Sequence, residues 1–153
     1  MKTSIYRISR TFEAPRSFVY DWCTDFREDD ARLIGQTWTR HIFEKSKRTV
    51  AWIVHNRKGG SDVEGIRIVS LNPKVSWHLL DYDDGINEVG DYRLNSEGRN
   101  RTRLDMVFRE TFKTRGPEPK SEFEDRVGAM WDKYKEALEF DYGKSKKNST
   151  SRH

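Results

Sequence analysis

From Ser4 to Glu13 polar and apolar side chains take turns, with Tyr6, Ile8 and Phe12 on one side and Arg7, Ser9 and Thr11 on the other. A period of two marks a strand with one buried face, and Arg10 stands on the apolar side of it. Ala14-Pro15 stops the alternation. Proline at a first helical position suits a short helix in which Phe18, Val19, Trp22 and Cys23 fall at i, i+1, i+4 and i+5. The acidic run Asp25 to Asp30 opens a second short helix, with Ala31, Leu33 and Ile34 facing inward and Gly35 ending it.

The period of two then returns and persists. Strands are predicted at 37–45, 48–57, 62–71, 74–82, 86–95 and 100–113, separated by Ser46-Lys47, Lys58-Gly59-Gly60-Ser61, Asn72-Pro73, Asp83-Asp84-Gly85 and Ser96-Glu97-Gly98-Arg99. Each separator is rich in residues that tolerate turn dihedrals, so the strands follow in meander order. Gly116-Pro117-Glu118-Pro119 ends the last of them, and Ser121 with Glu124 reads as a capping box. Behind it the period changes to that of a helix, Ser121 to Tyr142, with Phe123, Val127, Met130, Trp131, Tyr134 and Leu138 along one face and Gly143 as terminator. Such a face needs a large partner surface, and the preceding sheet is the one available. A curved sheet gripping a C-terminal helix, with room for a cavity between the layers, is the architecture this pattern predicts.

Composition refines the picture without changing it. A chain of 153 residues is one domain's length, and 35% charged against 34% hydrophobic residues is polar for a globular protein, but 12% aromatic content, including five Trp, argues against disorder. A few large side chains must carry the core. The net charge of +4 is local: Lys144, Lys146, Lys147 and Arg152 lie beyond Tyr142 with no acid among them, and taking those four from 29 basic residues leaves 25 against 25 acidic. The expected organisation is a neutral domain over 1–142 and a disordered basic tail over 143–153, with no specific nucleic-acid partner. A single cysteine, no N-terminal apolar run and no span near twenty apolar residues predict a soluble, cytoplasmic protein without membrane insertion.

Alternation sorts each strand into two faces. Leu104, Met106, Phe108 and Phe112 share a face with Glu110; Val75, Trp77 and Leu79 with Asp81; Ile86, Tyr92 and Leu94 with Glu88; Trp38, Ile42, Trp52 and Val54 with Arg40 and Glu44. Burying an unpaired charge among such neighbours costs several kcal/mol. Arg10, Asp81, Glu88 and Glu110 therefore form ion pairs, snorkel from strand ends, or orient a polar group on an apolar ligand, and Arg10 is the first choice for ligand contact. His41, His55 and His78 fall opposite the Trp of their own strands and lack metal-ligand spacing. In Asp81-Tyr82-Asp83-Asp84-Gly85 the glycine comes one place early for a calcium loop, which leaves a hairpin turn. Cys23 reads as a small core residue, and Arg99, Arg101, Arg103 and Arg109 as a solvated outer face. No phosphate loop, dinucleotide fingerprint or Gly-x-Ser-x-Gly occurs, so neither a metal nor a cofactor is expected.

The run Ile8-Ser9-Arg10-Thr11-Phe12-Glu13-Ala14-Pro15-Arg16-Ser17-Phe18-Val19-Tyr20-Asp21-Trp22, and Asn72-Pro73 ahead of a strand bearing Trp77, resemble the opening strand, Ala-Pro break, aromatic helix and middle turn of the START-like (SRPBCC) helix-grip superfamily. That superfamily includes polyketide cyclases, lipid-transfer domains and pollen-allergen-like proteins. The resemblance spans 4–142 and implies an α+β fold: a seven-stranded curved antiparallel sheet around a long C-terminal helix, with two short helices after strand one. It implies binding of an apolar or aromatic small molecule, for carriage or sensing, but carries over no residue; the strand faces and the helix stripe supply Tyr6, Arg10, Trp38, Trp52, Trp77, Asp81, Glu88, Tyr92, Phe108, Glu110, Met130, Trp131 and Tyr134 as candidate contacts. Two other readings remain open. One is a polyketide cyclase or dehydratase in which Arg10, Tyr6 or Glu110 stabilises an enolate or moves a proton; the other is a co-chaperone-like interaction module with a filled core.

Overall fold

The computed structural model of the chain describes residues 2–55, 65–83, 85–114 and 116–150. Seven strands, β1 (Lys2–Phe12), β2 (Thr39–Lys45), β3 (Thr49–His55), β4 (Gly65–Asn72), β5 (Ser76–Asp83), β6 (Ile86–Gly98) and β7 (Arg101–Phe112), form one antiparallel sheet in the order β1-β7-β6-β5-β4-β3-β2. The meander runs from β2 to β7, and β1 closes beside β7 rather than beside β2. Between β1 and β2 lie helix α1 (Arg16–Cys23) and a 3-10 turn (Asp30–Ile34); helix α2 (Lys120–Thr150) follows the sheet.

The alternation read from the chain is the alternation of the sheet. Tyr6, Ile8, Phe12, Trp52, Val69, Trp77, Tyr92, Leu94, Leu104, Met106, Phe108 and Phe112 are buried on the concave side, against Phe123, Val127, Trp131 and Leu138 of α2. Polar bonds pin one flank of α2. The Tyr6 hydroxyl donates to the Glu118 carbonyl at 2.6 Å, Lys135 Nζ to the Thr11 carbonyl at 2.6 Å, the Glu13 amide to Glu139 at 2.7 Å, and Trp22 Nε1 to Asp141 at 2.8 Å. These bonds tie α2 and the segment leading into it to β1, α1 and the link between them, so α2 is sealed against one end of the sheet order.

Three local expectations are corrected. Gly143 does not end α2, which runs on to Thr150, so the basic segment 143–150 is helical rather than disordered. A helical glycine costs only about 1 kcal/mol relative to alanine, and the three lysines beyond it are good helix formers. Ser121 is no N-cap, because the helix begins at Lys120 and the Phe123 amide bonds to the Pro119 carbonyl at 3.0 Å. Leu33 is exposed; Ala31 and Ile34 hold the inner side of the 3-10 turn, and Gly35 ends it in the left-handed conformation at φ 69°. The predicted turn Lys58–Ser61 lies outside the described residues. At the β5–β6 hairpin Asp83 Oδ1 accepts from the Gly85 and Ile86 amides at 2.8 and 2.7 Å, as a turn carboxylate does. The outer arginines lie beside acids: Arg103 with Glu97 and Asp105, Arg109 with Asp91, Arg101 near Glu13.

Candidate functional site

Between α2 and the strands of the sheet farther from β1 there is a cavity of about 520 Å³. Its walls are aromatic. Trp77 stacks on Tyr92 with ring centres 5.0 Å apart, Tyr92 meets Phe108 edge-on at 5.7 Å and Trp131 at 6.1 Å, and Trp131 meets Tyr134 at 5.2 Å. Gly90 belongs to this wall. A Cβ there would come within 2.9 Å of the Tyr92 ring, so only glycine lets Tyr92 lie back along its own strand.

The floor is polar, and register makes it so. In the sheet Trp52 stands opposite Arg67, Arg67 opposite Asp81, Asp81 opposite Glu88, and Glu88 opposite Glu110, one residue from each of β3 to β7. Side chains in directly opposed positions lie about 5 Å apart at Cβ, so these four ionisable groups form a continuous row across the concave face. An apolar row of Val69, Leu79, Gly90 and Phe108 flanks it on one side, and Val54, Gly65, Asp83, Ile86 and Phe112 lie on the other. Arg67 pairs with Asp81 at 2.5 Å. Glu88, next in line, is desolvated by the fold while its carboxyl faces the cavity. Burial, the neighbouring charges of Glu110 and Asp81, and a hydrogen bond with Glu110 push its pKa up to about 8, against a smaller opposing pull from Arg67. The two carboxyls therefore hold a proton between them more tightly than either would in water. Tyr92, sealed from solvent above the row, is raised well beyond the ordinary phenol range by burial and by Glu88.

Two arginines mark the ends. Arg126, on α2 at the rim, is 61% exposed and holds Glu118 with Nε at 3.2 Å and Nη2 at 2.8 Å. Arg40 is buried at the opposite end. Its guanidinium lies 4.6 Å from the Trp52 ring centre, 5.2 Å from Trp38 and 5.4 Å from Phe26, and donates to Asp30 at 2.6 Å and to the Arg27 carbonyl at 2.7 Å. Cys23 also lines the cavity; burial pushes its thiol pKa upward, away from nucleophilic reactivity. Among the described residues no group of three or more His, Cys, Asp or Glu could hold a metal ion.

This arrangement of curved sheet, cavity and covering helix is shared by solved structures. Zhui aromatase/cyclase from Streptomyces sp. R1128 is similar over 90% of this chain and 94% of its own, with a TM-score of 0.70 and 16% identity. A truncated norcoclaurine synthase from Thalictrum flavum matches over 90% and 94% (TM-score 0.66, 10% identity), and a START superfamily protein from Mycobacterium smegmatis over 90% and 95% (0.60, 14%). The chain has the START-like helix-grip fold. No family model matches its sequence, and no curated protein sequence matches it either.

Within the helix-grip frame eleven of the thirteen candidate contacts come together. Trp38, Trp52, Trp77, Asp81, Glu88, Tyr92, Phe108, Glu110, Met130, Trp131 and Tyr134 all line the cavity. Arg10 and Tyr6 do not. Arg10 is on the concave side, as the alternation requires, but at the sealed flank: its Nε pairs with Asp132 of α2 at 2.7 Å and its Nη1 donates to the Ser9 carbonyl at 2.9 Å. Gly128 makes room for it, since a Cβ there would stand 2.6 Å from Arg10 Nη2. The Tyr6 hydroxyl is engaged by Glu118, and its ring stacks on Phe123 at 4.0 Å. Neither group is placed to orient a ligand. Arg67 and Arg126 line the cavity without having been singled out by the alternation; Arg67 sits two residues from Val69 and so shares its concave parity, a signal open to reading once β4 is sorted into faces.

Proposed function

We propose that this protein binds a flat, largely aromatic small molecule, seating its rings among Trp77, Tyr92 and Trp131 and its polar group on the Asp81–Glu88–Glu110 row. The observation that carries this reading is a 520 Å³ cavity with aromatic walls and a line of ionisable side chains across its floor. Sites for small molecules commonly have this make-up, a mostly apolar lining with a few convergent polar groups. The structural relatives are consistent with it, one being named an aromatase/cyclase. An open cavity is not the filled core that an interaction module calls for. As a test, 2-naphthol titrated into the protein is expected to quench tryptophan fluorescence saturably. Leu79→Phe, which puts a ring into the space beside Gly90, should weaken that response at least about tenfold while the far-ultraviolet circular dichroism is kept. Quenching that is absent, or indifferent to the blocking side chain, overturns the assignment.

A second reading rests on the Glu88–Glu110 pair. Two carboxyls in direct register, with the pKa of Glu88 raised by burial and by Glu110, offer a proton donor and a base side by side whenever the pair holds one proton, which suits enolisation of a ketone in the manner of a cyclase or dehydratase. In this scheme Glu110 takes a proton from the carbon beside a carbonyl while Glu88 gives its own to the carbonyl oxygen. Deuterium exchange at the central carbon of a naphthyl 1,3-diketone, followed by NMR, is expected to accelerate with the protein and to slow at least about tenfold in Glu88→Gln. Equal exchange in the two proteins refutes catalysis by this pair.

A further inference from the structure

Resting on the reading of this cavity as a ligand site, we infer that Arg40 and Tyr134 form a second polar anchor at the end away from Arg126, which takes one neutral carbonyl oxygen, that of an aryl ketone or quinone, and disfavours a carboxylate.

The unused donors of Arg40 carry the inference. Its side chain is 9% exposed and lines the cavity, and both of its hydrogen bonds leave from Nη1, to Asp30 and to the Arg27 carbonyl. Nε is sealed without a partner among the described residues. Nη2 is thus the nitrogen neither bonded nor sealed, and on a residue that lines the cavity it is the one a guest can reach. A buried guanidinium with spare N–H groups is a costly arrangement that an acceptor relieves. The rings around it keep it in place. Phe26, Trp38 and Trp52 enclose the guanidinium, and Phe26 does so from a left-handed backbone at φ 44°, a conformation that phenylalanine adopts only under strain.

Tyr134 supplies the second donor. It reaches this end from α2, its ring set edge-on against Trp131 at 5.2 Å and Trp22 at 6.2 Å, and its hydroxyl has no hydrogen-bond partner among the described residues. Burial foremost, then Asp30, against a pull from Arg40, pushes its pKa up to about 12, so the phenol keeps its proton to donate. One oxygen with two lone pairs can accept from both groups.

Charge decides what kind of oxygen. Asp30 already balances Arg40, Arg27 faces Asp29 at 3.7 Å, and Asp25 and Asp141 stand in the same wall, so an anionic head brings like charge to an end already supplied with it. The two-nitrogen edge of the guanidinium that grips a carboxylate is also closed, because Nε belongs to it. A neutral carbonyl meets two donors and neither penalty.

Two probes with one ring system test this, 2-acetylnaphthalene and 2-naphthoate, each titrated at pH 7 by tryptophan quenching. The ketone is expected to bind at least about tenfold tighter than the carboxylate. The carbonyl stretch of the bound ketone, isolated as the infrared difference between unlabelled and carbonyl-13C ketone, should fall below its value in hexane. It should climb back in Tyr134→Phe and in Arg40→Met combined with Asp30→Asn, a pairing that leaves no aspartate stranded, and both variants, checked for folding by thermal denaturation, should weaken ketone binding several-fold. Where the combined variant does not fold, the stretch in the parent and in Tyr134→Phe decides. A stretch at the hexane value, a lowered stretch that the variants leave unmoved, or equal or tighter binding of the carboxylate overturns the anchor and leaves the cavity reading standing. Binding of neither probe overturns both.

Discussion

Replacing Phe123 by alanine is expected to cost about 3–5 kcal/mol of folding free energy, enough to leave a marginally stable domain largely unfolded. Phe123 is 1% exposed, stacks on Tyr6 with ring centres 4.0 Å apart and interplanar angle 11°, and packs on Phe108 at 5.4 Å. It is the first buried residue of α2 and sits where three elements meet: β1 through Tyr6, β7 through Phe108, and the Pro119 end of the helix through its own amide. Removing the ring leaves a void that cannot collapse easily, because Tyr6 is held in place by its bond to the Glu118 carbonyl. Phe140, on the same helix but 66% exposed, is the matched control: its alanine variant should change stability by less than about 0.5 kcal/mol. Urea denaturation followed by circular dichroism reads both. A Phe123→Ala cost below about 1 kcal/mol would show that the grip of sheet on helix is not what holds the domain together.

Strand periodicity made most of this architecture legible, because a period of two assigns faces without knowledge of what lies opposite. Glu88 and Glu110 could be named as polar residues on apolar faces from their own strands alone. That they stand directly opposite each other, with Asp81 and Arg67 continuing the row, depends on the hairpin registers, and a one-residue change in any turn would have broken it. Arg10 shows the converse limit. Its face was legible but its position under the helix was not, since the groups that meet it there are Asp132 and the notch at Gly128, 122 and 118 residues further along. Arg40 is similar: its inward face was legible, while its carboxylate partner Asp30 comes from a turn whose direction the chain does not advertise. The overrun of α2 past Gly143 has a plainer cause. Glycine is a common helix terminator only where the residues just beyond it stabilise a left-handed conformation, and Lys144 to Lys147 favour one more turn instead.

The stability of the fold should itself report the Glu88 proton. A carboxyl moved from 4.5 in the unfolded chain to about 8 in the fold binds a proton more tightly when folded, so between those values folding takes up protons. Its contribution to stability is complete below the unfolded value, declines as pH rises, and is lost once pH passes the folded value. Part of the folding free energy is therefore tied to this one proton. Asp25, pushed up to about 6 by burial and by Asp30, declines in the same direction over a narrower window. Asp91 works oppositely: its bonds to His78 and Arg109 hold its pKa below the usual carboxylate range, so its contribution is lost only on acidification. The expected profile is greatest stability near pH 5, with a steady fall toward pH 8.5. In Glu88→Gln an amide replaces the protonated carboxyl, still donates to Glu110 and cannot ionise. That variant should match the parent near pH 5 and exceed it at pH 8.5, by roughly 5–10 °C in thermal midpoint. A parent and variant whose midpoints run parallel from pH 5 to pH 8.5 would mean that Glu88 is ionised in the folded state. The donor–base pair would then have no physical basis.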